Sequence, residues 1–198
     1  MSQHSLIPPQ TEGKQLDLSE QKMFDDSTAA SHAFHQSAQR LLHPQQWKDL
    51  SGTGSASFEV IDQQLNLTDR EIAEGDYIRI DIPGPGPRSG NGYDWVKVEL
   101  IESSGDHLGI KVKPCANPEE KQEEPAHFFS EASSSTLMVR LTDITLTASY
   151  HGRNETVNNE TGNVAENIRN TAIATGALAG LSEVQWTKLI RGLLNGEP

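Results

Sequence analysis

The chain has a single cysteine in 198 residues, few aromatic residues and fewer bases than acids. Each shortage removes a class of protein. With Cys115 alone, no intramolecular disulfide framework forms. Following Pro114 near an expected strand end, it reads as a small, partly buried thiol. No stretch approaches the roughly 18 consecutive apolar residues of a membrane span. Lys and Arg number 16 against 28 Asp and Glu, a formal net charge of -12. A surface this acidic repels phosphate backbones and anionic lipid, so neither nucleic acid nor membrane is expected as a partner. The opening MSQHSLIPPQTEGKQ has no basic region followed by an apolar one, so no secretory leader is expected and the cytoplasm is the expected compartment. Hydrophobic residues make up 34%, low for a fully packed chain of this length, so part of it is expected to lie outside the core.

Cofactor motifs are missing too. The stretch PGPGPRSGNGYDW, residues 83–95, is the most motif-like in the chain. A nucleotide-cradling loop needs Gly-Lys and a row of backbone N–H donors. Here Gly-Lys is absent, and Pro85 and Pro87 remove two donors. Gly84 and Gly86 match only the first pair of a dinucleotide fingerprint, and the chain returns to a strand. The loop therefore reads as a proline-stiffened hairpin connection. Arg88, Tyr93 and Trp95 cluster there as a candidate partner surface. His32 and His35 stand three apart on a helical stretch, but a zinc site needs three or four ligands. They read as a polar helix surface, and neither a metal nor a cofactor is expected. No Gly-x-Ser-x-Gly elbow is present, so no catalytic residue is assigned.

What is present divides by hydrophobic period. Residues 1–45 are expected to be a disordered acidic tail with one short helix. That helix is STAASHAFHQSAQRLL, capped at Ser27 and carrying Ala30, Phe34, Ala38, Leu41 and Leu42 on a thin stripe. Over 46–160 the period becomes two. Ala56, Phe58 and Val60 alternate with polar neighbours, as do Ile78, Ile80 and Ile82, then Val96, Val98 and Leu100. Leu108, Ile110 and Val112 follow, then Leu137, Val139 and Leu141, and Ile144, Leu146, Ala148 and Tyr150. Six half-buried antiparallel strands predict a mainly β domain, a small barrel or sandwich. Pairing DYIRIDI with DWVKVEL in one allowed register sets Arg79 opposite Glu99 and Asp81 opposite Lys97. Phe128 and Phe129 are expected to plug one end. Residues 161–198 predict a helical hairpin packed on the sheet. Its second helix, SEVQWTKLIRGLL, starts in a capping box of Ser182 and Gln185.

Two groups remain as candidate sites. SYHGRNETVNN is expected to follow the last strand, at a turn set by Gly152. His151, Arg153, Asn154 and Glu155 there would supply a base, a guanidinium clamp and a carboxylate to a small ligand. The competing reading is an Arg153–Glu155 ion pair, with Asn154 and Asn158 shaping the exit from the sheet. On the final helix Trp186, Leu189 and Leu193 diverge from Val184, Ile190 and Leu194. A helix apolar on two sides buries both, so Trp186, Leu189 and Leu193 are candidates for a protein partner or self-association.

The combination of AHFFSEASSSTL, ASYHGRNETVNN and RNTAIATGALAGLSEVQWTKLIRGLL resembles a family of uncharacterised bacterial proteins, over residues 47–195. The resemblance implies a bacterial origin and no particular activity. The functional expectation is a non-enzymatic interaction or structural module of a bacterial assembly. The alternative is a small enzyme or ligand binder built on residues 151–155.

Overall fold

The computed structural model describes residues 6–83, 90–120, 126–158 and 183–198. Their strands are β1 (Lys14–Met23), β2 (Ser57–Ile61), β3 (Leu67–Thr68), β4 (Tyr77–Asp81), β5 (Asp94–Ser103), β6 (His107–Pro114), β7 (Ser134–Thr142) and β8 (Thr145–Glu155). The helices are α1 (Ser27–Leu41), α2 (Trp47–Ser51) and α3 (Glu183–Asn195). All eight strands join one open antiparallel sheet in the order β1-β8-β7-β6-β5-β4-β2-β3. The expected six-stranded barrel or sandwich is thus corrected to an eight-stranded open sheet. The helices cover the apolar face of the sheet, which is why the edges need not close. Helix α1 lies against β7 and β8, and α3 against β1, β8, α1 and α2. None of the described helices is long and apolar enough to cross a membrane.

The alternation fills the core as expected. Phe58, Val60, Ile78, Ile80, Val96, Val98, Leu108, Ile110, Leu137, Val139, Leu146, Ala148 and Tyr150 all point into it. One strand departs. A bulge in β5 between Val98 and Leu100 places Leu100 opposite Lys111 and Ile101 opposite Ile110. Ile101, not Leu100, then packs on the core. The extra residue shifts the phase of a period-two pattern by one, which alternation cannot reveal.

The charge-based β4–β5 register is also corrected. Arg79 faces Trp95, and Tyr77 faces Lys97. Arg79 finds its carboxylate on the other neighbour, Glu59 of β2, at 2.8 Å. Its guanidinium also lies 4.8 Å from the Tyr93 ring centroid. Glu99 pairs instead with Lys111 and Lys113 on β6. Screened surface pairs contribute at most about 1 kcal/mol, too little to set a register against burial.

The expected disordered tail is corrected over its described part. Residues 14–23 form β1, the edge strand beside β8. Helix α1 is capped one residue earlier than expected, by Asp26 Oδ1 accepting from the Ala29 N–H at 2.8 Å. Ala30, Ala33, Phe34 and Leu41 are buried. Ser37 Oγ and Arg40 Nη1 donate to the Leu193 carbonyl at 2.7 and 2.9 Å, so α1 satisfies an otherwise open C-terminal acceptor of α3. The same core therefore takes residues from all three expected segments. Gly192 marks the closest approach. A Cβ there would overlap the Leu50 carbonyl oxygen, so α2 meets α3 backbone to backbone. The first helix of the expected C-terminal hairpin, and the Ser182 cap, lie outside the described residues.

Candidate functional site

The polar group HGRNE is not a turn after the last strand. It is the end of β8, and β1 runs antiparallel beside it. Gly152 is an in-strand residue, and the expected turn is corrected accordingly. Alternation sends His151 and Arg153 outward, toward the side of Asp17. Asp17 stands opposite His151 across the ladder. Its Oδ1 lies 2.6 Å from His151 Nδ1 and accepts from Arg153 Nη2 at 2.7 Å. His151 Nε2 meets Ser149 Oγ at 3.0 Å. Partial burial raises the Asp17 carboxyl, but hydrogen bonds from Gln15, His151 and Arg153 outweigh it and hold the group at about 2. The base and the guanidinium of the expected site are thus engaged in fastening the edge strand. Arg153 pairs with Asp17 and not, as expected, with Glu155.

Asn154 is the next step. Its φ is +54°, in the left-handed region that Asn tolerates better than most residues. The β1–β8 register shifts here, between Lys14 and Leu16. Asn154 Oδ1 accepts from the Thr11 N–H at 2.8 Å and the Glu12 N–H at 3.1 Å. Its own N–H donates to Gln10 Oε1 at 2.9 Å. Asn154 therefore anchors the segment that leads into β1. Asn158 serves a separate loop, with Nδ2 donating to the His127 carbonyl at 3.0 Å.

The irregularity at Asn154 returns Glu155 to the inner face. Its carboxylate folds back over Gly152, where a Cβ would overlap Oε1 and lie 2.8 Å from Cδ. Only glycine leaves this space. Glu155 is 8% exposed. Its Oε1 accepts from Tyr150 Oη at 3.2 Å, and Tyr150 Oη lies 2.9 Å from Ser135 Oγ on β7. Burial raises the Glu155 carboxyl above the usual carboxylate range, opposed by the Tyr150 hydrogen bond and the charges of Lys14 and Arg153. Burial also raises the Tyr150 phenol far above its ordinary value, and the Glu155 charge adds to that.

Tyr150 and Ser135 open onto an interior cavity of about 30 Å³ between the sheet and the helices. Its walls are aromatic and aliphatic, with Trp47, Phe58, Phe128, Phe129 and Trp186 prominent. Phe128 and Phe129 line this space rather than plug a barrel end. The Trp186 indole lies flat on the Tyr150 ring, with centroids 4.5 Å apart and planes at 14°. Trp186 is only half-buried, and Val184 before it on α3 is 62% exposed. His127 completes the lining, stacked on Phe128 at 4.1 Å, with Nδ1 accepting from the Phe129 N–H.

The residues expected to bind a partner do not form one surface. Leu189 and Leu193 are 1% and 0% exposed, inside this chain's own core, which corrects the expectation that they face outward. The two-sided helix is explained by its having neighbours on several sides: β1, β8, α1 and α2. Trp95 is fully buried in a second cluster with Ile61 and Ala126, and Tyr93 packs on its rim. Arg88 lies outside the described residues. Cys115 edges that same cluster, and burial pushes its thiol up to about 12, beyond nucleophilic use near neutrality. Among the described residues no three His, Cys, Asp or Glu side chains converge as metal ligands.

Of the sequence candidates, Trp186 lines the cavity directly, and Glu155 reaches its wall through Tyr150. Ser135 and Tyr150 were not singled out, since Tyr150 fits the strand pattern as one more inward residue. A phenol among aliphatic positions is the signal that was available, because a buried hydroxyl needs a partner.

No family model and no curated protein matches the sequence. A solved structure of a hypothetical protein from Helicobacter pylori is similar in fold, with a TM-score of 0.58 over 94% of this chain and 89% of that one, at 9% identity. A protein from Mycobacterium smegmatis aligns over 96% of this chain and 98% of that one, with a TM-score of 0.40 and 13% identity. A major latex-like protein from Panax ginseng aligns over 82% and 94%, with a TM-score of 0.37 and 12% identity. The first likeness bears on the fold alone, and the other two are too loose to bear on it.

Proposed function

We propose that this chain binds a small planar, largely apolar molecule between its sheet and α3. The observation that carries the reading is the Trp186–Tyr150 stack at the wall of an aromatic-lined cavity. A flat ring already rests on Tyr150, held by a side chain that is itself half-exposed. The cavity has room for about one water. A ligand ring therefore enters by displacing the indole, whose departure opens a space of its own shape. Aromatic walls supply dispersion and area, and the Ser135–Tyr150–Glu155 chain supplies the few polar atoms that orient a ligand in such a site. The outward half of HGRNE keeps β8 and β1 in register, so the wall stays in place while Trp186 moves.

Calorimetric titration of the full chain with indole tests this, alongside Trp186→Ala. The reading expects saturable one-to-one binding by the native chain, and tighter binding by the variant, whose competing ring is gone. Binding by Trp186→Ala alone would mark an engineered void and overturn the proposal. So would binding by neither protein.

A further inference from the structure

We infer that the ligand bound at the Tyr150 wall carries a hydrogen-bond donor, and that protonation of Glu155 abolishes the preference for it. This rests on the binding reading above and follows from counting protons along the chain. An ionised Glu155 only accepts, so Tyr150 must turn its proton toward Oε1, at 3.2 Å. The lone pairs of Tyr150 Oη then face Ser135, whose proton is drawn to them at 2.9 Å. Ser135 Oγ has spent its only proton and offers the cavity lone pairs alone. A phenolic O–H or an indole N–H is satisfied there. A carbonyl or ether oxygen meets an acceptor and is rejected.

A proton on Glu155 changes the sequence. The carboxylic acid donates to Tyr150, Tyr150 donates to Ser135, and the Ser135 proton is released toward the cavity. The wall changes from acceptor to donor without any heavy atom moving. Among the described residues the charges that act on Glu155 are Lys14 of β1 and Arg153 of β8, both favouring its ionised form, against burial, which disfavours it. From the remaining side the wall includes His127, a second titratable group, whose Nδ1 is already occupied by the Phe129 N–H.

The test compares indole with benzofuran, rings of nearly equal size: the indole N–H only donates, and benzofuran carries an ether oxygen and no donor. Affinity of the full chain for each is measured from pH 8 to pH 4, with circular dichroism confirming the fold at each point. The indole-to-benzofuran affinity ratio is expected to fall by about tenfold as pH drops, one hydrogen bond's worth. In Glu155→Gln the ratio should not change with pH. A native ratio independent of pH overturns the inference while leaving the cavity reading standing. A slope that persists in Glu155→Gln assigns the effect to His127 and overturns it as well. If neither probe binds the native chain at any pH, the cavity reading falls and this inference falls with it.

Discussion

Replacing Gly152 by alanine is the sharpest probe of the Glu155 fold-back. The added methyl would overlap Oε1 and sit 3.3 Å from Tyr150 Cε1. Backbone movement is opposed by ladders on both sides, since Gly152 pairs with Leu16 of β1 and Ser135 of β7. The carboxylate must leave instead. It loses a charge-assisted hydrogen bond to Tyr150, about 1.5–3 kcal/mol. Residual crowding adds about 1 kcal/mol, at the low end for overpacking. The gain from removing a flexible glycine offsets about 0.5–1 kcal/mol. The net is a destabilisation of about 2 kcal/mol, a Tm lowered by about 4–8 °C for a chain of this size. Urea unfolding of four proteins checks it: native, Gly152→Ala, Glu155→Ala and the double variant. With the carboxylate absent, the methyl at 152 should be neutral or slightly stabilising, a coupling of about 2 kcal/mol between the two positions. Equal cost of Gly152→Ala in both backgrounds would refute the fold-back, because the clash would then lie with something other than Glu155.

Two further outcomes follow from the packing. Asp17 is held at about 2 against an ordinary 3.8, so its contribution is present above the ordinary value and lost as pH falls through the folded one. Asp17→Asn should cost about 1 kcal/mol at neutral pH, discounted for its exposure, and should remove the loss of stability between about pH 4 and 2 in urea melts. Gly192→Ala places a methyl against the Leu50 carbonyl, where no side chain can give way. Thermal melting should show a loss of about 2–3 kcal/mol, with α2 and α3 forced apart.

Much of the sheet was legible in the sequence because burial on one face imposes period two. The inward residues of β2 and β4 through β8 follow from that alone. Where the pattern failed, a local backbone event had intervened. The bulge at Glu99 exchanged Leu100 for Ile101, and the left-handed Asn154 turned Glu155 back to the inner face. Strand β1 was invisible for another reason. An edge strand buries little, and KQLDLSEQKM supplies only Leu16 and Leu18 to the core. HGRNE stands out in the sequence as a dense polar group, yet its side chains divide between the two faces of one strand. Sequence spacing brought its four polar residues together, while the left-handed Asn154 broke the alternation that would have kept Arg153 and Glu155 on one face.

The pairing of β1 with β8 also governs the order in which the chain can complete itself. Asp17 and His151 are 134 residues apart, and they meet side by side. During synthesis, at roughly 5–20 residues per second, β1 waits on the order of ten seconds for β8, its strand partner among the described residues. Contacts this distant slow folding as well. Through that interval β1 is a bare edge, the feature most prone to pairing with a neighbouring chain. Its composition answers the hazard. Lys14, Asp17, Glu20 and Lys22 interrupt every apolar pair, so the segment stays solvated until β8 emerges. The polarity that makes residues 14–23 read as a tail is what keeps them available as a strand.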